Sequence, residues 1–121
     1  MRELERKGYY SYGELVDSFE VEEVFSEHDD DYQGDSFYLL KDGDKYGILI
    51  FGWGSCSGCD TLEAIGGDLK EATAFRDELW NSIQWFTRAD MRKYARSKDF
   101  SLEWYGHSDG GRKFTERMKT F

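Results

Sequence analysis

The stretch Tyr46–Ile65, YGILIFGWGSCSGCDTLEAI, constrains the fold of this chain more than any other segment. Every residue from Tyr46 to Trp53 is apolar, aromatic or glycine. A strand with one solvated face would alternate with polar residues, so this run reads as a central strand covered on both faces. The small residues Gly52, Gly54, Ser55 and Ser57 then carry the chain through a tight turn, which delivers Cys56-Ser57-Gly58-Cys59 to the start of a helix. A strand-turn-helix junction of this kind presents backbone N–H groups and thiols at the positive end of a helix dipole, where binding chemistry is favoured.

The rest of the chain supplies partners for that strand. Ser36–Lys41, SFYLLK, reads as a second strand, and Asp42-Gly43-Asp44 as the hairpin turn between the two, giving a central hairpin over about 36–53. Upstream, residues 1–10 read as a frayed start that docks through Tyr9 and Tyr10. Ser11 can cap a helix over 12–19, and the period changes from Glu20 towards an extended segment containing Val21 and Phe25. Downstream, Asp60–Ile65 reads as a short helix stopped by Gly66-Gly67. Asp68 caps a longer helix to about Trp80, with Arg76 outward, and Ile83–Phe86 suits a short strand. Thr87 resembles the cap of a helix to about Ser97 that buries Met91, Tyr94 and Ala95. Phe100–Tyr105 reads as a strand, His107–Gly111 as a turn, and Phe114–Phe121 as a terminal helix or tail. At 121 residues, with no repeat and no low-complexity linker, residues 1–121 form one α+β domain: a small, mainly antiparallel sheet packed against three to four helices.

Charge narrows the function classes. The net charge is −9, and it is unevenly placed: residues 1–87 hold 20 acidic and 7 basic side chains, residues 88–121 hold 5 and 9. The acidic bulk argues against direct nucleic-acid binding, which needs a basic face to neutralise phosphates, and favours a protein partner with a basic surface. No apolar run approaches the roughly 20 residues of a membrane span, and the start MRELERKGYY lacks the apolar core of a secretory signal, so a cytoplasmic protein with no membrane partner is expected.

Two groups of residues carry candidate chemistry. Cys56 and Cys59 have the spacing of a thiol–disulfide motif, although the thioredoxin-type site also uses a cis-proline and this chain contains no proline. With His28 and His107 the two cysteines also complete one tetrahedral zinc set, although the histidines are far apart in sequence. A plain packing role in a tight turn is the third reading. The second group is the acidic segment. Asp29, Asp31, Gln33, Gly34 and Asp35 fall at positions 1, 3, 5, 6 and 7 of a calcium loop, but the closing position is Leu40. The segment reads better as an electrostatic contact surface made by Glu22, Glu23, Glu27, Asp29, Asp30, Asp31 and Asp35. No nucleophile–base–acid set can be assembled, so a binding protein without a resident cofactor is expected rather than an enzyme.

The motifs DDYQGD (30–35), YGILIFGWGSCSGCDTLEA (46–64), RDELWNSIQW (76–85) and DFSLEWYGH (99–107) resemble those of a group of small acidic proteins encoded mainly by bacteriophages and prophages. The resemblance implies a site of action in the bacterial cytoplasm and transfers no activity. Together with the acidic excess it predicts a protein that modulates or inhibits a host protein, such as a nucleic-acid-handling defence enzyme, by direct contact. A zinc or thiol-redox protein and a virion or assembly component are the alternatives.

Overall fold

The computed structural model describes residues 1–29, 34–54, 60–97 and 109–121. Their elements follow in the order α1 (Tyr12–Asp17), β1 (Glu22–His28), β2 (Gly34–Asp42), β3 (Lys45–Trp53), α2 (Thr61–Ile65), α3 (Leu69–Ser82), β4 (Gln84–Phe86), α4 (Arg88–Ser97) and α5 (Asp109–Thr120). The four strands form one antiparallel sheet in sequential order, β1-β2-β3-β4. This is the α+β architecture expected from the sequence. The expected strand at Phe100–Tyr105 lies outside the described residues.

The β2–β3 hairpin is the centre of the sheet. Gly43, at φ +64°, and Asp44 connect the Asp42–Lys45 pair, and a positive φ at the first loop residue matches the twist of the two strands. Opposite faces of the hairpin feed two separate cores. Tyr38, Leu40, Leu49 and Phe51 pack with Leu15, Val16, Leu62, Ala72 and Leu79 from α1, α2 and α3. Phe37, Leu39, Tyr46 and Ile48 pack with Met91, Ala95, Phe114 and Met118 from α4 and α5. Helices therefore cover both sides, which is why β3 shows no polar alternation. Each Val, Leu, Ile, Phe or Met among them, taken fully out of water, contributes about 1.5–3 kcal/mol.

Local chemistry sets the boundaries. Ser11 and Glu14 form a reciprocal capping box at the start of α1, Asp60 and Asp68 cap α2 and α3, and Gly66 ends α2 at φ +63°. Strand β1 carries a bulge between Glu23 and Phe25. The extra residue lets Val24 and Phe25 both reach the α5 side, where strict alternation would separate them. In β3, Gly47 sits opposite Trp85, and a Cβ there would lie 2.6 Å from Ile83 Cγ2 and 2.7 Å from Trp85 Cζ3. The indole occupies the space that a side chain would need.

Four expectations are corrected. Arg76 is buried rather than outward: its guanidinium donates to the Arg2 carbonyl (2.8 Å), the Ser18 hydroxyl (2.9 Å) and Asp77 Oδ1 (2.9 Å), so three acceptors replace its water. Of the two tyrosines only Tyr10 is buried and docks the N-terminal segment, whereas Tyr9 is 70% exposed. Tyr94 is half-buried. Asp109–Gly111 form the first turn of α5 instead of a separate turn. Glycine is required there for proximity, because a Cβ on Gly110 would lie 3.0 Å from the His28 carbonyl carbon and 3.1 Å from the Asp29 nitrogen.

Candidate functional site

The junction expected between β3 and a following helix is present. Strand β3 ends at Trp53 and α2 begins at Thr61. Residues 55–59, including Cys56 and Cys59, lie outside the described residues, as does His107. The flanks of the junction are joined by one side chain. Asp60, 7% exposed, accepts from the Gly54 N–H through Oδ2 (2.8 Å), and from the Glu63 N–H (3.0 Å) and the Tyr12 hydroxyl (2.9 Å) through Oδ1. A single carboxylate thus ties the end of the central strand, the start of α2 and the start of α1.

Tyr12 is held for this contact by packing. Its ring stacks on Phe51 (centroids 4.5 Å apart, planes 19° apart) and meets the edge of Phe75 at 6.1 Å. Burial, the hydrogen bond to Asp60 and the Asp60 charge together raise its pKa well above the ordinary phenol range. Beside the pair is a cavity of about 360 Å³ lined by Tyr9, Tyr10, Tyr12, Asp60, Leu62 and Glu63 among others. The sequence reading put Asp60 inside the helix that it caps, and its bond to Tyr12, 48 residues away, leaves no local signal.

The acidic segment is less uniform than its composition suggests. Glu22 and Glu23 are exposed at the start of β1, the outermost strand among the described residues, and their side chains point to opposite faces of the sheet. Glu27 is paired at 2.6 Å with Arg117 of α5, whose guanidinium also lies 4.2 Å from the Phe25 ring centroid. Asp29 binds the fold rather than facing outward: Oδ2 accepts from the Asp35 N–H (2.8 Å) and Oδ1 from the Gly110 N–H (2.9 Å) in the first turn of α5. Asp35 is 1% exposed inside β2, which removes it from the expected contact surface. Asp30, Asp31 and Gln33 lie outside the described residues, and Leu40, at the closing position of the calcium pattern, is fully buried in β2. His28 places Nδ1 2.7 Å from the Ser36 hydroxyl and its ring edge against Tyr38. Among the described residues, no three His, Cys, Asp or Glu side chains converge as a metal site would.

What emerges is a smaller acidic patch at the α1–β1 junction. Asp17 and Glu23 are exposed and form no ion pair among the described residues, while Glu20 meets the N-terminal ammonium at 3.3 Å; Glu22, opposite Lys41 in the β1–β2 ladder, lies on the other face of the sheet and is left out of this patch. Tyr38 reports the shared field of this patch, since burial first, and then the charges of Glu23 and Asp17, push its phenol up to about 12. On the opposite side of the sheet α4 carries Arg88, Arg92, Lys93 and Arg96 against the single acid Asp90. The two helical layers are thus oppositely charged. Among the described residues no helix is long and apolar enough to cross a membrane. No family model, curated protein or solved structure matches the chain.

Proposed function

We propose that this chain is a non-enzymatic binding protein that modulates or inhibits a protein with a basic surface, and that the contact is made by Asp17 and Glu23 at the α1–β1 junction. The observation that carries the reading is that these two carboxylates are exposed on one side of the sheet and have no ion-pair partner among the described residues, whereas Glu27, Asp29 and Asp35 are engaged within the fold. Unneutralised carboxylates close together make a local negative potential that steers a basic partner and competes for the sites where such a partner holds nucleic-acid phosphates. The resemblance to phage and prophage proteins would put that partner in the bacterial cytoplasm, with a nucleic-acid-handling defence enzyme as the leading class.

The test is affinity purification from expressing bacteria, identification of the bound protein, and titration of the purified pair against salt. Binding should weaken steeply as salt rises, and the double variant Asp17→Asn/Glu23→Gln should lose most of the affinity seen at low salt. A partner bound equally well at all salt concentrations and by the variant would overturn the reading.

A metal or thiol role for Cys56 and Cys59 draws support from a different observation: Asp60 accepts from the Gly54 N–H at 2.8 Å, so the two residues that flank positions 55–59 are held together. Metal analysis of the purified protein, with Cys56→Ser and Cys59→Ser compared for metal content and for stability, separates that role from packing.

A further inference from the structure

We propose that the cavity beside Tyr12 and Asp60 is a binding site for an alkylammonium or guanidinium group, supplied by a lysine or arginine side chain of the protein partner. The proposal deepens the reading above and rests on it for the source of the cation, while the chemistry of the pocket stands by itself. The cavity, at about 360 Å³, is within the size range of small-ligand pockets. Its lining includes three tyrosines, Tyr9, Tyr10 and Tyr12, and two carboxylates, Asp60 and Glu63, with no lysine or arginine. Aromatic rings and carboxylates together are what an organic cation prefers, because ring quadrupoles and anionic oxygens attract it while the rings also cover its carbon stem. The neighbouring cavity of about 260 Å³ is lined by Arg2 and Lys7 as well as acids, and has no such preference for a cation.

Hydrogen bonding within the pocket points the same way. The Tyr10 hydroxyl donates to the Glu5 carbonyl (2.7 Å) and accepts from the Lys7 N–H (3.3 Å), so it is already engaged with the N-terminal segment. The Tyr12 hydroxyl is engaged by Asp60. An ionised carboxylate offers about four acceptor positions, and the described donors take three at Asp60. Glu63 is exposed and forms no ion pair among the described residues. Tyr9 is the one exposed large aromatic among the described residues, and it lies on this cavity. An anion would meet two carboxylates here, and a neutral apolar group would bury Glu63 without a partner. A cation on a flexible stem satisfies both. The pocket and the acidic patch also share α1: Tyr12 and Asp17 are separated by about 7.5 Å of helix rise, so one basic surface can reach both.

The experiment follows backbone amide NMR shifts during titration with N-acetyl-lysine-N-methylamide, N-acetyl-arginine-N-methylamide, the uncharged norleucine analogue and free cadaverine. The lysine or arginine probe should shift amides of residues 9–12 and 62–66, and the norleucine analogue should not. Affinity should fall about threefold in each of Tyr9→Ala and Glu63→Gln, recover in Tyr9→Phe, and stay unchanged in the patch double variant. Both pocket positions are exposed, so these variants keep the fold. Equal binding of the norleucine analogue, no shifts with either cationic probe, or unchanged affinity in both pocket variants would overturn the proposal. Tighter binding of cadaverine than of the lysine probe would overturn the side-chain source. If the pocket fails while the patch variant still weakens partner binding, the proposed function stands without it. If the pocket binds the probes while the patch variant leaves partner binding intact, the patch reading fails instead.

Discussion

Two aspartates of this molecule play matching parts. Asp60 accepts from the Gly54 N–H six residues before it and caps the start of α2; Asp29 accepts from the Asp35 N–H six residues after it and holds the start of α5. Each carboxylate meets the N-terminal turn of a helix, where backbone N–H groups lack internal partners and the helix dipole favours negative charge. The difference is distance along the chain. Asp60 caps the helix that begins at the next residue, whereas Gly110 is 81 residues from Asp29. The same side chain doing similar chemistry is therefore a readable helix signal at one place and an anonymous member of an acidic run at the other.

The largest expected effect tests the first pin. Asp60→Ala removes a helix cap and two further charge-assisted hydrogen bonds from a buried position, and should lower stability by about 3 kcal/mol in urea unfolding. Asp60→Asn keeps an acceptor and should lose roughly half as much. If Asp60→Ala lost under about 1 kcal/mol, the joint between α1, β3 and α2 would be held by packing alone.

Asp29→Ala should follow, at about 2 kcal/mol, because Asp29 makes two such bonds and is only partly buried. Its signature is regional. Hydrogen exchange should quicken in α5 and at the facing ends of β1 and β2, while α1 and α3 keep wild-type protection. Uniform loss of protection across both helical layers would contradict a local role for Asp29.

What the sequence could and could not show follows from the same contrast. The hairpin, the three caps at Ser11, Asp68 and Thr87, and the two-faced burial of β3 were legible, because turn residues, capping spacing and unbroken apolarity are local signals. The burial of Arg76 was not, since its acceptors include a carbonyl 74 residues away. Nor was the start of α5. Gly110 and Gly111 look like turn residues, and only the backbone of His28 and Asp29 beside Gly110 explains glycine inside a helix. The acidic surface was half legible: the charges are where the composition put them, but which of them stay outside depends on contacts between distant segments.

Tyr12→Phe sharpens the first pin by separating the phenol from the carboxylate. At neutral pH it should cost about 1 kcal/mol, the value of one hydrogen bond to a charged acceptor less its replacement by packing. The pH dependence is more specific. Tyr12 has a raised pKa in the folded chain, from burial first and then from Asp60, so above about pH 10 the folded state binds more protons than the unfolded state. Its contribution is fully present below pH 10 and is lost as pH rises further. Tyr38 acts in the same direction, with its phenol pushed up to about 12. Unfolding series at pH 8, 10 and 11 should show the wild type losing stability on the alkaline side, and Tyr12→Phe losing less of it. Parallel pH profiles for the two proteins would mean that Tyr12 ionises as freely in the fold as out of it.

The smallest effect belongs to Glu27→Gln, and it decides what holds α5 to the sheet. The Glu27–Arg117 pair is short, 2.6 Å, but the arginine is 49% exposed, and solvent screening limits such pairs to well under about 1 kcal/mol. Arg117 also keeps its position over the Phe25 ring when the carboxylate is neutralised. The main attachment is instead apolar, through Phe114 and Met118 buried against Phe25, Phe37 and Leu39, with Asp29 fixing the helix start. Glu27→Gln should therefore shift the urea midpoint only slightly and leave α5 exchange protection nearly intact, in contrast to Asp29→Ala. A loss as large as that of Asp29→Ala would place the attachment at the exposed ion pair, and the two acidic side chains would then have to exchange roles.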